Sequence, residues 1–306
     1  MPFIVSDISY VDLNFCNTAK AIATGVYGSD AGVILVDPGP GSCIDTLTGL
    51  LKAQGIRVSD IQTILITHIH LDHAGATGLL VRDNPKIRVY VHEKGAPHVL
   101  DPSKLVNSAN QLWGVEGVAR LWGQVLPVPQ ENLHILAEHD RIATGGHVFD
   151  VRYTPGHASH HVSYFDEGSG IVWAGDTAGL RFTSQTFTLP PTPPPDIDLE
   201  AWGESIAKLR AWDPETVFIT HFGPYANVPD HLDDLERSIA AAAEISWRAL
   251  HADLPDEAKY EQFKNDVAAY VRASKIAPSE IAPLEYVGPL EFNWRGLVRY
   301  WKKRGL

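Results

Sequence analysis

The chain has 306 residues, 44% hydrophobic and 20% charged, which is enough to bury a full core without staples. Its 37 acidic residues against 25 basic ones leave a net charge of −12, which disfavours nucleic acid as a main partner. No run of ~18 apolar residues offers a membrane span, no basic-then-apolar leader is present, and the two thiols are Cys16 and Cys43, so a cytosolic protein with reduced cysteines is expected.

The first half alternates β-branched runs with helical stretches. Residues 31–37 (AGVILVD) predict a buried strand, and PGPGS then turns the chain. Ser42 is placed to cap the next helix, with Asp45 three residues on and Gly55 as its stop. Residues 63–67 (TILIT) and 87–92 (IRVYVH) read as further strands, and 103–123 as a helix interrupted by glycines. From about residue 132 the pattern turns strand-rich, with LHIL, GGHVFDVRYTPG, VSYFD and GIVWAGD. Residues 189–195 (LPPTPPP) must be an extended loop, because proline lacks the backbone donor. A helix over 198–212 and a strand over 216–220 (TVFIT) follow. Helical stretches then dominate (231–251, 256–273, 293–303), dividing the chain into 1–228 and a helical extension over 229–306. Strands mixed with helices in both halves imply an α/β class, with sheets covered by helices. TILITH, ending at His68, echoes TVFITH, ending at His221, as two related halves facing each other would.

Fourteen histidines inform only through their placement. Four predicted strands run into a metal-capable residue: His68, His157, Asp176 and His221. Sheets present strand ends at a common edge, where ligands usually bind. Within HIHLDH, His68 and His70 share one face of an extended chain, and Asp72 and His73 follow where the chain turns into a helix. Neutral imidazoles and carboxylates suit zinc, iron or manganese at about four donors each. The cluster supplies four donors; His157, Asp176 and His221 bring the total to seven, as two ions require if one carboxylate bridges and water fills the rest. Alone, the cluster also reads as a polar turn with Asp72 capping the helix; the three downstream strand ends favour the metal.

His68-x-His70-x-Asp72-His73, Thr154-Pro-Gly-His157, Gly175-Asp176 and Thr220-His221, in this order over about residues 20–225, resemble the metallo-β-lactamase superfamily. The resemblance implies an αββα sandwich with a binuclear site at one edge of the sheets, here followed by the C-terminal helical extension. It assigns His68, His70 and His157 to a first ion and Asp72, His73 and His221 to a second, with Asp176 bridging. Asp37 matches an aspartate that buttresses the metal loop; read by itself it is a turn-initiating residue before Pro38-Gly39. Two divalent ions, zinc first with iron or manganese as alternatives, would lower the pKa of water toward ~7. The implied reaction is attack of a metal-bound hydroxide on an ester, thioester or lactone of a small molecule, with Asp72 and Asp176 as catalytic residues.

Other readings stay open. Phosphoester hydrolysis would use the same site, and a mononuclear iron oxidoreductase resembling the persulfide dioxygenases retains the same residues. A non-catalytic sensor is disfavoured because no ligand has been lost. Keeping Asp176 argues against true β-lactamases, and His70 in place of glutamate against flavodiiron proteins. The stretch Thr154 to His161 and the helical tail are similar to glyoxalase II, whose tail helps hold glutathione, although HFGPY around His221 departs from that pattern.

Outside the cluster, Arg299-Tyr-Trp-Lys302 reads as a carboxylate grip or, favoured, as a solvated helix end. The family's lactonases use a tyrosine beyond the bridging aspartate; none lies between Asp176 and His221, so Tyr225 is the nearest candidate or, equally, a packed loop aromatic. His160 is expected to be exposed, and His161 to stand behind the ligands. Trp113, Trp122, Trp247, Trp294 and Trp301 would roof the pocket, form a homodimer interface or, favoured, pack the core; a pocket shaped by the tail would use Trp294 and Trp301.

Overall fold

The structure, a computed structural model, describes residues 1–5, 7–29 and 32–305. Ala31, where the first predicted strand begins, lies outside the described residues. The first sheet holds β1 (Phe3–Val5), β2 (Ile8–Asp12), β3 (Ala23–Ser29), β4 (Gly32–Val36), β5 (Ile61–Leu65), β6 (Arg88–His92) and β7 (Leu133–Leu136), side by side in that order. Pairing is antiparallel from β1 to β4 and parallel from β4 to β7. The second sheet holds β8 (Arg141–Thr144), β9 (His147–Tyr153), β10 (Val162–Asp166), β11 (Ile171–Trp173), β12 (Thr216–Ile219) and β13 (Gly223–Tyr225). It is antiparallel except between β11 and β12.

The sheets meet face to face through alternate side chains. Tyr27, Ile34, Val36 and Leu65 of the first pack against Phe149, Val151, Tyr164 and Trp173 of the second. The one polar atom Tyr27 carries into this layer is satisfied: its hydroxyl accepts from Trp173 Nε1 at 2.6 Å and lies 3.3 Å from the Asp166 carboxylate. The outer face of the first sheet is covered by α1 (Ile44–Ala53), α2 (Leu71–Ala74), α3 (Thr77–Asp83), α4 (Ala96–Leu100) and α5 (Ser103–Leu121). The second sheet is covered by α6 (Leu199–Ala211) and α7 (Val228–His251), which bury Trp202, Ile206, Leu232 and Leu235 against it. The tail continues with α8 (Asp256–Ala273), α9 (Leu284–Val287) and α10 (Leu290–Lys303), and α7, α8 and α10 share a small core around Phe263 and Leu297. The architecture is an αββα sandwich with C-terminal helices, as the sequence implied.

The details depart in ways that matter. The strand expected over 63–67 pairs only to Leu65, which leaves the Thr67 backbone N–H and hydroxyl free for other partners. Ser42 does not cap α1; its hydroxyl donates to the Leu121 carbonyl at 2.6 Å and ties the α1 turn to α5 instead. The helix expected over 103–123 breaks at Gly114, whose φ of 72° no regular helix allows. Cys16 and Cys43 are free thiols. No described helix is long and apolar enough to cross a membrane.

Candidate metal centre

The chain segments just beyond β4, β5, β9, β11 and β12 converge at one edge of the sandwich and carry Asp37, His68, His157, Asp176 and His221 there. All seven residues singled out in the sequence come together. The donor atoms of His68, His70 and His157, of His68, His73 and Asp176, and of Asp72, His73 and His221 form three groups, each within 4.8 Å.

Each imidazole but His70 is oriented by an acceptor behind it. His73 Nδ1 donates to Asp37 Oδ2 at 2.8 Å, His157 Nδ1 to the Pro191 carbonyl at 2.8 Å, and His221 Nδ1 to the Ala21 carbonyl at 2.7 Å. His68 Nδ1 lies 3.2 Å from Thr67 Oγ1, whose own proton goes to Asp37 at 2.7 Å, so the ring is the donor there too. The remaining Nε2 lone pairs therefore face the centre. His70 Nδ1 stands 3.0 Å from both His68 Nε2 and His157 Nε2. Nitrogens bound ~2.1 Å from one ion at angles of ~90–109° would be ~3.0–3.4 Å apart, so this spacing suits a shared ion. Asp176 faces both ways. Its Oδ2 is 3.4 Å from His157 Nε2 and 4.0 Å from His68 Nε2, while Oδ1 is 3.3 Å from His73 Nε2 and 3.6 Å from His221 Nε2. Asp72 Oδ2 lies 3.3 Å from His221 Nε2.

Among the described residues, His73 Nε2, His221 Nε2 and Asp176 Oδ1 are buried without a hydrogen-bond partner. Three converging, unpartnered polar atoms cost several kcal/mol in aggregate unless something positive occupies the space between them. The donor set thus fits metal ions. Its electrostatics are divided. Burial pushes His68, His70 and His157 below the ordinary imidazole range, the first two far below it. At His73 and His221 burial pulls the same way, but Asp176 and Asp72 outweigh it and raise both. Asp176, buried as it is, is held well below the carboxylate range by His73, His221 and His157.

Asp37 is a buttress rather than only a turn residue. It sits at φ 49°, a left-handed conformation that aspartate tolerates. Its carboxylate accepts from Thr67 N (2.8 Å), Thr67 Oγ1 (2.7 Å), Thr220 Oγ1 (2.9 Å) and His73 Nδ1 (2.8 Å). The threonines that precede His68 and His221 in the two echoed strands thus meet on one oxygen. That repeated Thr-His pair was the signal in the sequence for their role. The carbonyls of Pro191 and Ala21 had no signal at all, because any residue supplies a carbonyl. Gly175 has φ 45°, and a Cβ there would lie 2.5 Å from Thr67 Oγ1, so the turn presenting Asp176 requires glycine.

Other expectations fare unevenly. His161 does stand behind the ligands, stacked on His68 with Nδ1 3.0 Å from Thr154 Oγ1. His160 is not exposed: it packs beside the His68 and His70 rings, and burial pushes its pKa down to about 4. Tyr225 is a packed aromatic, its hydroxyl on the Arg181 carbonyl at 2.7 Å and its ring under the Arg181 guanidinium. Arg299 is exposed and donates to the Pro195 carbonyl at 3.1 Å. Above the centre lies a pocket of about 150 Å³ with His70, Asp72, His157 and Asp176 at its base. Trp113 and Trp122 border it, but Trp294 and Trp301 do not, contrary to expectation. Trp294 packs on Phe263 in the tail's own core, and Trp301 packs on Trp247 at the edge of the core beneath the second sheet. The opposite face of α10 presents Phe292 and Asn293 to the pocket.

Residues 18–221 match the family described as the metallo-beta-lactamase superfamily, and the chain belongs to it. In sequence it is similar to a metallo-beta-lactamase fold-containing protein of Sulfurisphaera tokodaii, at 26% identity over 62% of this chain and 68% of that protein. It is also similar to a hydroxyacylglutathione hydrolase of Legionella pneumophila, at 30% identity over 48% of this chain and 43% of that enzyme, less than half its length. Among solved structures, a metallo-beta-lactamase family protein from Thermus thermophilus shares the fold with a TM-score of 0.68 at 23% identity, over 89% of this chain and 95% of that one. A further relative, solved in a di-iron-bound form, is 26% identical with a TM-score of 0.52, over 70% of this chain and 93% of that one.

Proposed function

We propose that this protein is a binuclear metal-dependent hydrolase of esters, thioesters or lactones. His68, His70 and His157 would hold one ion, Asp72, His73 and His221 the other, and Asp176 would bridge. The observation that carries the reading is Asp176, whose two oxygens face the two histidine groups separately. A bridging carboxylate offsets the repulsion between two +2 ions ~3.5–4 Å apart. Bound there, such ions would lower the pKa of water toward ~7 and offset negative charge developing on a substrate oxygen. Asp72 is the more exposed of the two central carboxylates and borders the pocket, so it can orient the attacking water and take up its proton. The Nδ1–H anchors keep the Nε2 lone pairs aimed, so that little reorganisation accompanies binding.

Zinc is the first candidate, with manganese and iron next; the relative solved with two irons supports keeping iron in view. Hydroxyacylglutathione hydrolase relatives support thioester hydrolysis within the class. Residues 1–228 would supply the ligands and 229–306 would complete the pocket, in a cytosolic protein whose cysteines stay reduced. Protein purified without added metal should contain two transition-metal ions per chain and hydrolyse members of a panel of thioesters, lactones, aryl esters and phosphotriesters. A reproducible single iron with dioxygen uptake on a persulfide would replace this reading with the oxidoreductase one.

A further inference from the structure

Resting on the hydrolase reading, we propose that the pocket selects a substrate whose group beside the scissile bond is uncharged and apolar. That group is about the size of one aromatic ring or a six-carbon chain. The pocket lies between two segments far apart in sequence: Leu105, Leu112 and Trp113 from α5, and Tyr286, Val287 and Phe292 from the tail. Four prolines of the 189–195 loop add rings that carry no donor. Among the described residues no lysine or arginine borders it, and its only carboxylates are Asp72 and Asp176. The amide of Asn293 is spent on the protein, accepting from Thr192 N at 2.8 Å and donating to the Gly288 carbonyl at 3.2 Å.

A charged group lodged against these walls would lose its water and meet no counter-charge on them. An apolar group gains roughly fourfold in affinity for each methylene buried. The volume sets the length: an apolar cavity of ~150 Å³ takes up a benzene-sized molecule, and this pocket is about 150 Å³. Charge is available nearby but kept apart. Trp113 and Tyr286 also border a larger cleft of about 640 Å³, and that cleft has Arg120 and Glu285 on its walls. Charged parts of a substrate belong in that cleft, away from the reacting bond.

The test uses the metal-loaded enzyme and thioesters of one uncharged thiol, N-acetylcysteamine, carrying acetyl, hexanoyl, benzoyl or succinyl groups. We expect kcat/KM to rise at least tenfold from acetyl to hexanoyl, benzoyl to match hexanoyl, and succinyl to fall below acetyl. Leu112→Lys, at a half-buried position of the wall, should lower hexanoyl turnover at least tenfold while raising succinyl relative to it. Ser108→Lys, exposed on the same helix, replaces it if that variant does not fold. Equilibrium dialysis of hexanamide against succinamate reads the pocket without turnover; hexanamide should bind the wild type and not the lysine variant. Turnover that favours acetyl or succinyl overturns the apolar selection and leaves the hydrolase reading standing. Hexanamide binding with no turnover of any ester, thioester or lactone overturns the hydrolase reading and leaves the apolar selection in place. Neither binding nor turnover overturns both.

Discussion

The base of the pocket and its roof are built from different forces. At the base, Asp37 gathers four hydrogen bonds of 2.7 to 2.9 Å from Thr67, His73 and Thr220, joining residues 183 positions apart. Every one of these groups is buried, so each bond is directional, unscreened and costly to lose. At the roof the contacts are apolar. Trp113 meets Phe292 edge-on with ring centroids 4.8 Å apart, on a helix that breaks one residue later at Gly114. Apolar contact tolerates substitution of similar volume, whereas a charge-bearing hydrogen-bond network does not. The base is therefore the part that chemistry holds constant, and the roof the part through which a substrate can be chosen.

The largest effect should come from Asp176→Asn. The size is kept, but the charge and one ligating oxygen are lost, so the second ion should bind much more weakly and turnover should fall by ~10³-fold or more. High metal concentration should restore part of it, and circular dichroism should be unchanged. Two tightly bound ions with normal turnover in this variant would reduce Asp176 to a turn residue.

Asp37→Asn should come next. The amide nitrogen cannot accept from His73 or the threonines, and loss of an outer partner of this kind costs ~10–100-fold in metal affinity. Metal competition with a chelator would measure it. Unchanged affinity would show that the buttress is ornamental to the metal and serves only the fold.

The two histidine groups should also differ in pH dependence. In the metal-free protein burial lowers the pKa of His68, His70 and His157, while at His73 and His221 Asp176 and Asp72 outweigh burial and raise it. A protonated imidazole must lose its proton to bind a metal, so affinity at the His73 and His221 side rises with pH up to those raised values, by about tenfold per pH unit for each proton released. The other side should stay nearly flat between about pH 6.5 and 8, above its lowered values. Titration calorimetry in buffers of different ionisation enthalpy reads the protons directly. Equal proton release in the two binding steps would break the distinction.

The smallest effect tests the roof. Phe292→Ala should raise KM for the hexanoyl thioester several-fold with metal content intact, as a few buried methylenes would. Trp294→Ala, two residues on but packed on Phe263, should cost about 2 kcal/mol of stability in denaturant unfolding and leave KM alone. The reverse pattern would mean that α10 presents its other face to the substrate.

Much of the base was legible in the sequence because metal-capable side chains are few, chemically distinctive and tied to strand ends. His68, His70, Asp72 and His73 stand in six consecutive residues, and a periodic apolar run before each distant partner marked where it would emerge. Asp37 could be placed as a candidate only through the family resemblance, since by itself it reads as a turn residue before Pro38-Gly39. Where the strand TILIT would stop could not be read, because Ile66 and Thr67 continue its pattern; only the Asp37 carboxylate, arriving from another strand, takes the Thr67 donors out of the ladder. Trp294 and Trp301 looked like a roof for the same reason that they are not one. A large aromatic on an amphipathic helix must be buried, but the sequence does not say against what.

Composition, periodicity and the spaced histidines and aspartates by themselves determined the α/β class and the set of seven candidate ligands, since these depend on local pattern and on residue chemistry; the sandwich was what the family resemblance implied. Tertiary structure alone decided which nitrogen of each histidine faces the centre, which oxygen of Asp176 faces which histidine group, and that Phe292 rather than Trp294 meets the pocket. Those outcomes depend on backbone carbonyls and helix faces brought together across long stretches of chain, and no single stretch encodes its own neighbours.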